Sequence, residues 1–242
     1  MNDPKISLVI CAFNEENYIG NCLQSVLDNS NHFYEIIVVD NSSTDRTKEI
    51  VSKFPAVKLV SESQKGLTHA RQKGLQIATG EILAYIDADT LMPKGWAASV
   101  SKFFMDNSKA VSLSGPCKYH DGSEMSKLFL NFFWWISAPI TYFFVGYMLL
   151  GSNFAVRKSA LEKIDGFDRS ISFYGEDTDL ARRLSKVGKV VFKMNFFIYA
   201  SSRRFEGEGI IKASFVYVLN FIWPVIFHKP FTKSYKDVRL NK

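Results

Sequence analysis

The sequence predicts an α/β fold: a mostly parallel sheet with helices on both faces, followed by apolar C-terminal helices. Three observations carry this. Short apolar runs alternate with helical patterns through the first half. Asp40, Asp87 and Asp89 fall where such runs end. Beyond residue 127 a long aromatic stretch carries no charge.

The elements follow in order. ISLVIC (6–11) is a continuous apolar run, the pattern of a strand buried on both faces. Tyr18, Ile19, Cys22, Val26 and Leu27 then recur at helical spacing. EIIVVD (35–40) is the second strand. Asn41-Ser42-Ser43-Thr44 is turn and cap chemistry that opens a helix near Asp45. VKLVS (57–61) is the third strand, and Gly66 to Ala78 reads as a helix stopped by Gly80. EILAYIDAD (81–89) is a fourth strand running into an acidic turn. Pro93 suits the first turn of a helix reaching about Met105. AVSLSG (110–115) is a fifth strand. GSNFAVRK (151–158) returns to the sheet, GEDTDLARRLSKVG (175–188) is a capped helix, and KVVFKM (189–194) is a short strand. A second apolar run covers 215–227. The expected division is a domain over 1–209, with an apolar insertion about 128–150, and a membrane-docking stretch over 210–242.

The chain has 242 residues and a formal net charge of +6. That charge is uneven. From Ile210 onward Lys212, Lys229, Lys233, Lys236, Arg239 and Lys242 face Asp237 alone, which leaves the rest close to neutral. A basic surface for nucleic acid is therefore not expected. The four His and three Cys (Cys11, Cys22, Cys117) show no zinc spacing and no disulfide framework. No leader peptide is expected, and a reducing cytosol is the expected compartment.

Several residues could carry chemistry. Asp87-Ala88-Asp89, at a strand end, can share a hard cation and its diphosphate ligand; a solvated turn is the alternative. Asp40 can accept from ribose or base N–H groups at the sheet crevice, or form an Asx turn; Asp45 suits a cap. Gly66 and Arg71 lie in KGLTHAR, where Arg71 can contact phosphate or remain solvated. Glu176 and Asp177 either complement a helix dipole or aim a base into the crevice. Arg203 and Arg204 can clamp a diphosphate or sit in a surface loop, and of the two Arg204 is the expected nucleotide-sugar contact.

The words VICAFNEENYIGNCLQSVL, EIIVVDNSSTDRT, KGLTHARQKGLQIATGEILAYIDADT, GSNFAVRK and GFDRSISFYGEDTDLARRL, in that order, resemble the family-2 glycosyltransferases of the GT-A fold, with its Rossmann-like sheet. The resemblance covers about residues 5–200. It implies inverting transfer from a nucleotide-diphosphate sugar, UDP being the family's commonest nucleotide. It implies a nucleotide site near Ala12, Asn14, Glu15 and Asp40, with Arg71 close to the nucleotide. Asp87 would face the ribose, and Asp89 of this DXD motif would be the principal ligand of Mn2+ or Mg2+. Asp177 would be the catalytic base, with Glu176 as neighbour or alternative. Gly151, Ser152 and Asn153 would line the donor-sugar and acceptor region. Relatives that glycosylate a polyprenyl phosphate generally lack the Glu-Asp motif, because their acceptor is already anionic. Its presence here favours a hydroxyl on a sugar or glycolipid. Such a polyprenyl-phosphate transferase, or a non-catalytic membrane scaffold, is the alternative. A nucleotidyltransferase would want a Gly-rich basic loop after the first strand, which CAFNEE is not.

Residues 128–150 are long enough to span a bilayer. Under the family reading a single crossing would separate Asp87/Asp89 from Glu176/Asp177, and two crossings need roughly 40 residues. The segment is therefore expected to lie in the interface, to dip and return, or to pack on the domain, interrupted by Asn131, Ser137, Pro139 and Thr141. Trp134, Trp135, Tyr142 and Tyr147 suit an interface. Residues 215–227 are too short to span and precede the basic tail, which reads as an interfacial anchor. The expected location is the cytoplasmic face of the cell membrane, peripheral or monotopic.

Overall fold

The computed structural model describes residues 3–171, 174–227 and 231–232. The strands are β1 (Ile6–Ala12), β2 (Glu35–Asp40), β3 (Val57–Ser61), β4 (Ile82–Asp87), β5 (Thr90–Leu91), β6 (Ala110–Ser114), β7 (Cys117–Tyr119), β8 (Asn153–Arg157), β9 (Lys189–Phe192) and β10 (Ile198–Ala200). The helices are α1 (Ile19–Leu27), α2 (Thr47–Ser52), α3 (Leu67–Ile77), α4 (Trp96–Asp106), α5 (Glu124–Val145), α6 (Lys158–Lys163), α7 (Glu176–Ser185), α8 (Arg203–Glu208) and α9 (Ile210–Phe227).

Seven strands form the main sheet in the order β3-β2-β1-β4-β8-β6-β9. β3, β2, β1 and β4 are mutually parallel, as are β6 and β9. β8 runs antiparallel to both of its neighbours. Alternate side chains of β1 feed the two faces: Leu8 and Ile10 enter one core cluster, Val9 the other. Both faces are thus covered, which is why the strands read as unbroken apolar runs. Register brings the carboxyl ends together. Ala12 stands opposite Asp40, and Cys11 opposite Asp87. A small second sheet, β5-β10-β7, sits past those ends.

The structure departs from expectation at several helices. α4 starts at Trp96, after Gly95 in the left-handed region, so Pro93 lies before the helix and its carbonyl accepts from Trp96. α5 is one uninterrupted helix that begins at Glu124, where the Ser123 hydroxyl accepts from the Ser126 amide. Pro139 lies inside it without ending it. Only 12% of its central apolar window is buried. By length and composition it could cross a membrane. One face nevertheless packs inward through Leu130 and Ala138, and the Tyr142 hydroxyl donates to Val190 O at 2.9 Å. α9 has 18 residues rather than thirteen and starts at Ile210, packing on α7 and α8. Lys229, Lys233, Lys236, Arg239 and Lys242 of the basic tail lie outside the described residues.

Candidate functional site

One cavity of about 320 Å³ opens beyond the carboxyl ends of β1 and β4. Asp87, Asp89, Glu15, Arg71, Gly151, Ser152, Glu176, Asp177, Arg203 and Arg204 all line it. Ligands bind at this place in open α/β sheets, where the strand ends leave a crevice. Residues far apart in sequence therefore meet here. Asp87 and Asp89 come from the β4–β5 turn, while Glu176 and Asp177 open α7.

Arg71 is the hub, and it is 2% exposed. Its guanidinium donates to Glu176 Oε1 and to Gly151 O, the latter at 2.8 Å, and stands 3.6 Å from Asp87. A buried charge needs such partners, because desolvation otherwise costs several kcal/mol. Burial pushes the Glu176 carboxyl up to about 7, against the pull of Arg71. Glu176 Oε2 is buried without a hydrogen-bond partner. Gly151 leaves room for this pair. A Cβ there would stand 2.6 Å from Glu176 Oε1 and 2.9 Å from an Arg71 nitrogen.

Asp177 is half-buried beside this pair. Its carboxylate accepts from the Thr178 amide at 2.8 Å and weakly from the Gly151 amide at 3.4 Å. Burial raises its pKa, while these donors and Arg71 oppose the rise. One carboxylate near the α7 N-terminus can therefore take a proton while staying oriented.

Asp87 and Asp89 offer two hard oxygen donors on the cavity wall. Burial and then the Asp89 charge push the Asp87 carboxyl up, and Arg71 pulls it down. Among the described residues no cluster of three or more His, Cys, Asp or Glu side chains is formed. A divalent cation would thus take one or two carboxylates from the protein and its remaining oxygens from a phosphate ligand and water. Mg2+ is commonly held in that way. The donor set fits the group.

The first-strand loop is strapped to the β2–α2 loop. Asn14, at φ +53°, donates its amide to Ser43 Oγ and accepts from Thr44 N at 2.8 Å. The Glu15 amide donates to Thr47 Oγ1. Asp45 accepts from the Thr47 and Glu16 amides, an Asx-type turn rather than the helix cap, which falls at Arg46. Asp40 is fully buried. Its Oδ2 faces Lys48 at 3.3 Å, and its Oδ1 has no hydrogen-bond partner. Ala12 is buried at the end of β1, and neither it nor Asp40 reaches the cavity lining.

Asn153 takes a different place from the one expected. It is fully buried and lies outside the cavity lining. Its Oδ1 accepts from Trp96 Nε1 at 3.0 Å, and its Nδ2 donates to Gly115 O and Phe196 O. It therefore ties β8 to its neighbours. Arg71 lines the cavity, with its guanidinium held by protein partners within the fold.

Arg204 is the expected contact of the pair, but it is Arg203 that reaches the acidic turn. Its guanidinium meets Asp89 at 2.8 Å and Glu15 at 2.7 Å, and lies 4.5 Å from the Tyr18 ring centroid. Arg204 lies 6.0 Å from the Tyr174 ring centroid. The pairing of two arginines after the last strand was the available signal. Which of them reaches the acidic turn depends on β10 and α8, elements too short to read.

Comparison with known proteins agrees with this geometry. The Glycosyl transferase family 2 model matches residues 7–165, and the chain belongs to that family. The Probable glycosyltransferase YdaM of Bacillus subtilis (strain 168) is 29% identical over 224 residues, 85% of this chain and 51% of its own. Glycosyltransferase AglE of Haloferax volcanii is 35% identical over 100 residues, 38% of this chain and 33% of its own. The chain thus spans about half the length of the first relative and a third of the second. Among solved structures, S. aureus TarS 1-349 has a TM-score of 0.65 at 21% identity, over 95% of this chain and 67% of its own. Mannosyltransferase PcManGT from Pyrobaculum calidifontis, in complex with GDP-Man and Mn2+, has a TM-score of 0.66 at 20% identity, over 95% and 66%. At these identities the likeness is one of fold, and that fold is GT-A.

Proposed function

From this family membership we propose that the chain is an inverting glycosyltransferase. It moves a sugar from a nucleotide-diphosphate sugar, UDP-linked by preference, to a hydroxyl of a membrane-held or lipid-linked saccharide. The observation that carries the reading is the shared cavity of Asp87, Asp89 and Asp177.

The roles follow from chemistry. Asp89, with Asp87, would hold Mn2+ or Mg2+ against the diphosphate. A divalent cation bound there stabilises charge developing on the leaving nucleoside diphosphate. Arg203 and Arg204 line the same space and supply fixed positive charge. Asp177 takes the proton of the acceptor hydroxyl as the hydroxyl attacks the anomeric carbon. Attack opposite the leaving group gives inversion in one displacement. Arg71 orients Glu176 beside the base and holds the Gly151 carbonyl. Neighbours solved with UDP-GlcNAc, or with GDP-Man and Mn2+, support a nucleotide-sugar donor and a divalent metal.

The reading extends to a peripheral or monotopic location on the cytoplasmic membrane face. Phe143 and Phe144 of α5 are 82% and 80% exposed, and Trp135 stands on the same helix. Aromatic residues of this kind suit the membrane interface. A donor screen by thermal shift with Mn2+ tests the function. A nucleotide sugar that binds raises Tm by mass action. No shift with any UDP- or GDP-sugar overturns it.

A further inference from the structure

The cavity wall changes character where α5 and α9 contribute to it. Leu130 and Trp134 of α5, Met148, and Tyr217, Val218 and Phe221 of α9 wall this part. None of these six side chains belongs to either core cluster of the sheet. They face a space. An apolar wall facing a space gains when a ligand displaces its water. No charged residue occurs over 128–145, and Lys212 is the one charge over 210–227. The polar residues these two helices bring to the wall are the neutral Ser137, Thr141, Ser214, Tyr217 and Asn220, and Asn220 donates to Val216 O at 2.9 Å and accepts from Thr232 N at 3.0 Å. α5 and α9 therefore bring no charged side chain to the cavity wall to hold a diphosphate.

We infer that the chamber between α5 and α9 binds the hydrocarbon chain of the acceptor. The acceptor is then an amphiphile whose hydroxyl-bearing head reaches Asp177 while its chain lies against Trp134, Val218 and Phe221. The inference rests on the glycosyltransferase reading and deepens it. The chamber is continuous with the catalytic groups, so a single molecule can fill both parts. It also explains why α5 is apolar on two faces. One face lines the cavity, and the other carries the exposed Leu128, Trp135, Phe143 and Phe144. A chain can pass from a lipid phase along α5 without crossing a charged surface.

Octyl, decyl and dodecyl glucosides, titrated below their micelle concentrations by calorimetry, test this. Affinity in the wild type is expected to rise on the order of tenfold for each two methylenes added. Val218→Asp, and separately Phe221→Ser, should flatten that rise while the melting temperature confirms folding. The double variant Phe143→Ser/Phe144→Ser changes only the outer face and should keep it. Affinity that ignores chain length overturns the inference. So does affinity that follows the number of sugar units instead, which would make the aromatic wall a saccharide platform. Loss of the rise in the outer-face variant alone also overturns it. A parallel titration of the wild type with UDP and Mn2+ separates the two claims. Absent nucleotide binding sinks the glycosyltransferase reading; nucleotide binding without chain-length dependence sinks only the chamber.

Discussion

The two walls of the cavity are held in place by different physics. On the sheet side each group is fixed by charge and backbone. Arg71 grips Glu176 and Gly151, Arg203 grips Asp89 and Glu15, and Asn153 ties three segments behind them. On the helix side α5 and α9 present apolar side chains with few directional anchors, such as Tyr142 to Val190. The difference suits a division of labour. Bond making needs groups held to fractions of an ångström, whereas an apolar ligand needs area and shape.

Changes on the sheet side should thus be severe and specific. Asp177→Asn keeps the size of the side chain and removes the base. Transfer is expected to fall on the order of a thousandfold, with donor affinity nearly unchanged, as read by steady-state kinetics beside calorimetry. Full transfer by this variant would end the assignment of Asp177.

Arg71→Leu should be the most damaging change to stability. It strands Glu176 in a buried site, at a cost of about 3–5 kcal/mol in urea unfolding above pH 7. The companion Arg71→Leu/Glu176→Leu should recover much of that loss, since no buried charge remains.

pH sharpens the same contrast. The Glu176 pKa is raised from 4.5 to about 7, chiefly by burial. The folded state therefore binds more protons than the unfolded state across that window. This group's contribution to stability is full below about 4.5 and is lost as pH rises through about 7. Glu176→Gln should flatten stability between those limits, in melts run across pH. A slope that persists unchanged would place the titration elsewhere.

The helix side should answer more gently. Phe143→Ser/Phe144→Ser is expected to weaken binding to anionic vesicles several-fold in flotation while leaving nucleotide affinity intact. Equal flotation would remove α5 from the membrane reading.

Much of the sheet was legible because it is buried on both faces. EIIVVD became β2 at the boundaries read from sequence, and VKLVS became β3 at its own, although that edge strand is half-exposed. The acidic strand ends were legible for the same reason: a carboxylate closing an apolar run stands out. Short elements were not. β7 and β10 are three residues each, and no period can be read from three residues. Helix starts slipped where capping lay outside the apolar pattern. Ser123 caps α5 several residues before the uncharged run, and Ile210 opens α9 ahead of 215. At the site, Asn153 looked like a ligand contact because GSN sits in a family word, but its amide satisfies buried carbonyls. Arg203 rather than the expected Arg204 meets the acidic turn, which the sequence does not show because its partners, Glu15 and Asp89, are remote along the chain.

The central claim is that Asp89 joins a divalent cation to a nucleoside diphosphate in this cavity. The most direct measurement is calorimetry of UDP binding with and without Mn2+, in the wild type and in Asp89→Ala. The account predicts binding in the wild type with Mn2+, and its loss both on chelation and in the variant. Equal UDP binding under all of these conditions would contradict it.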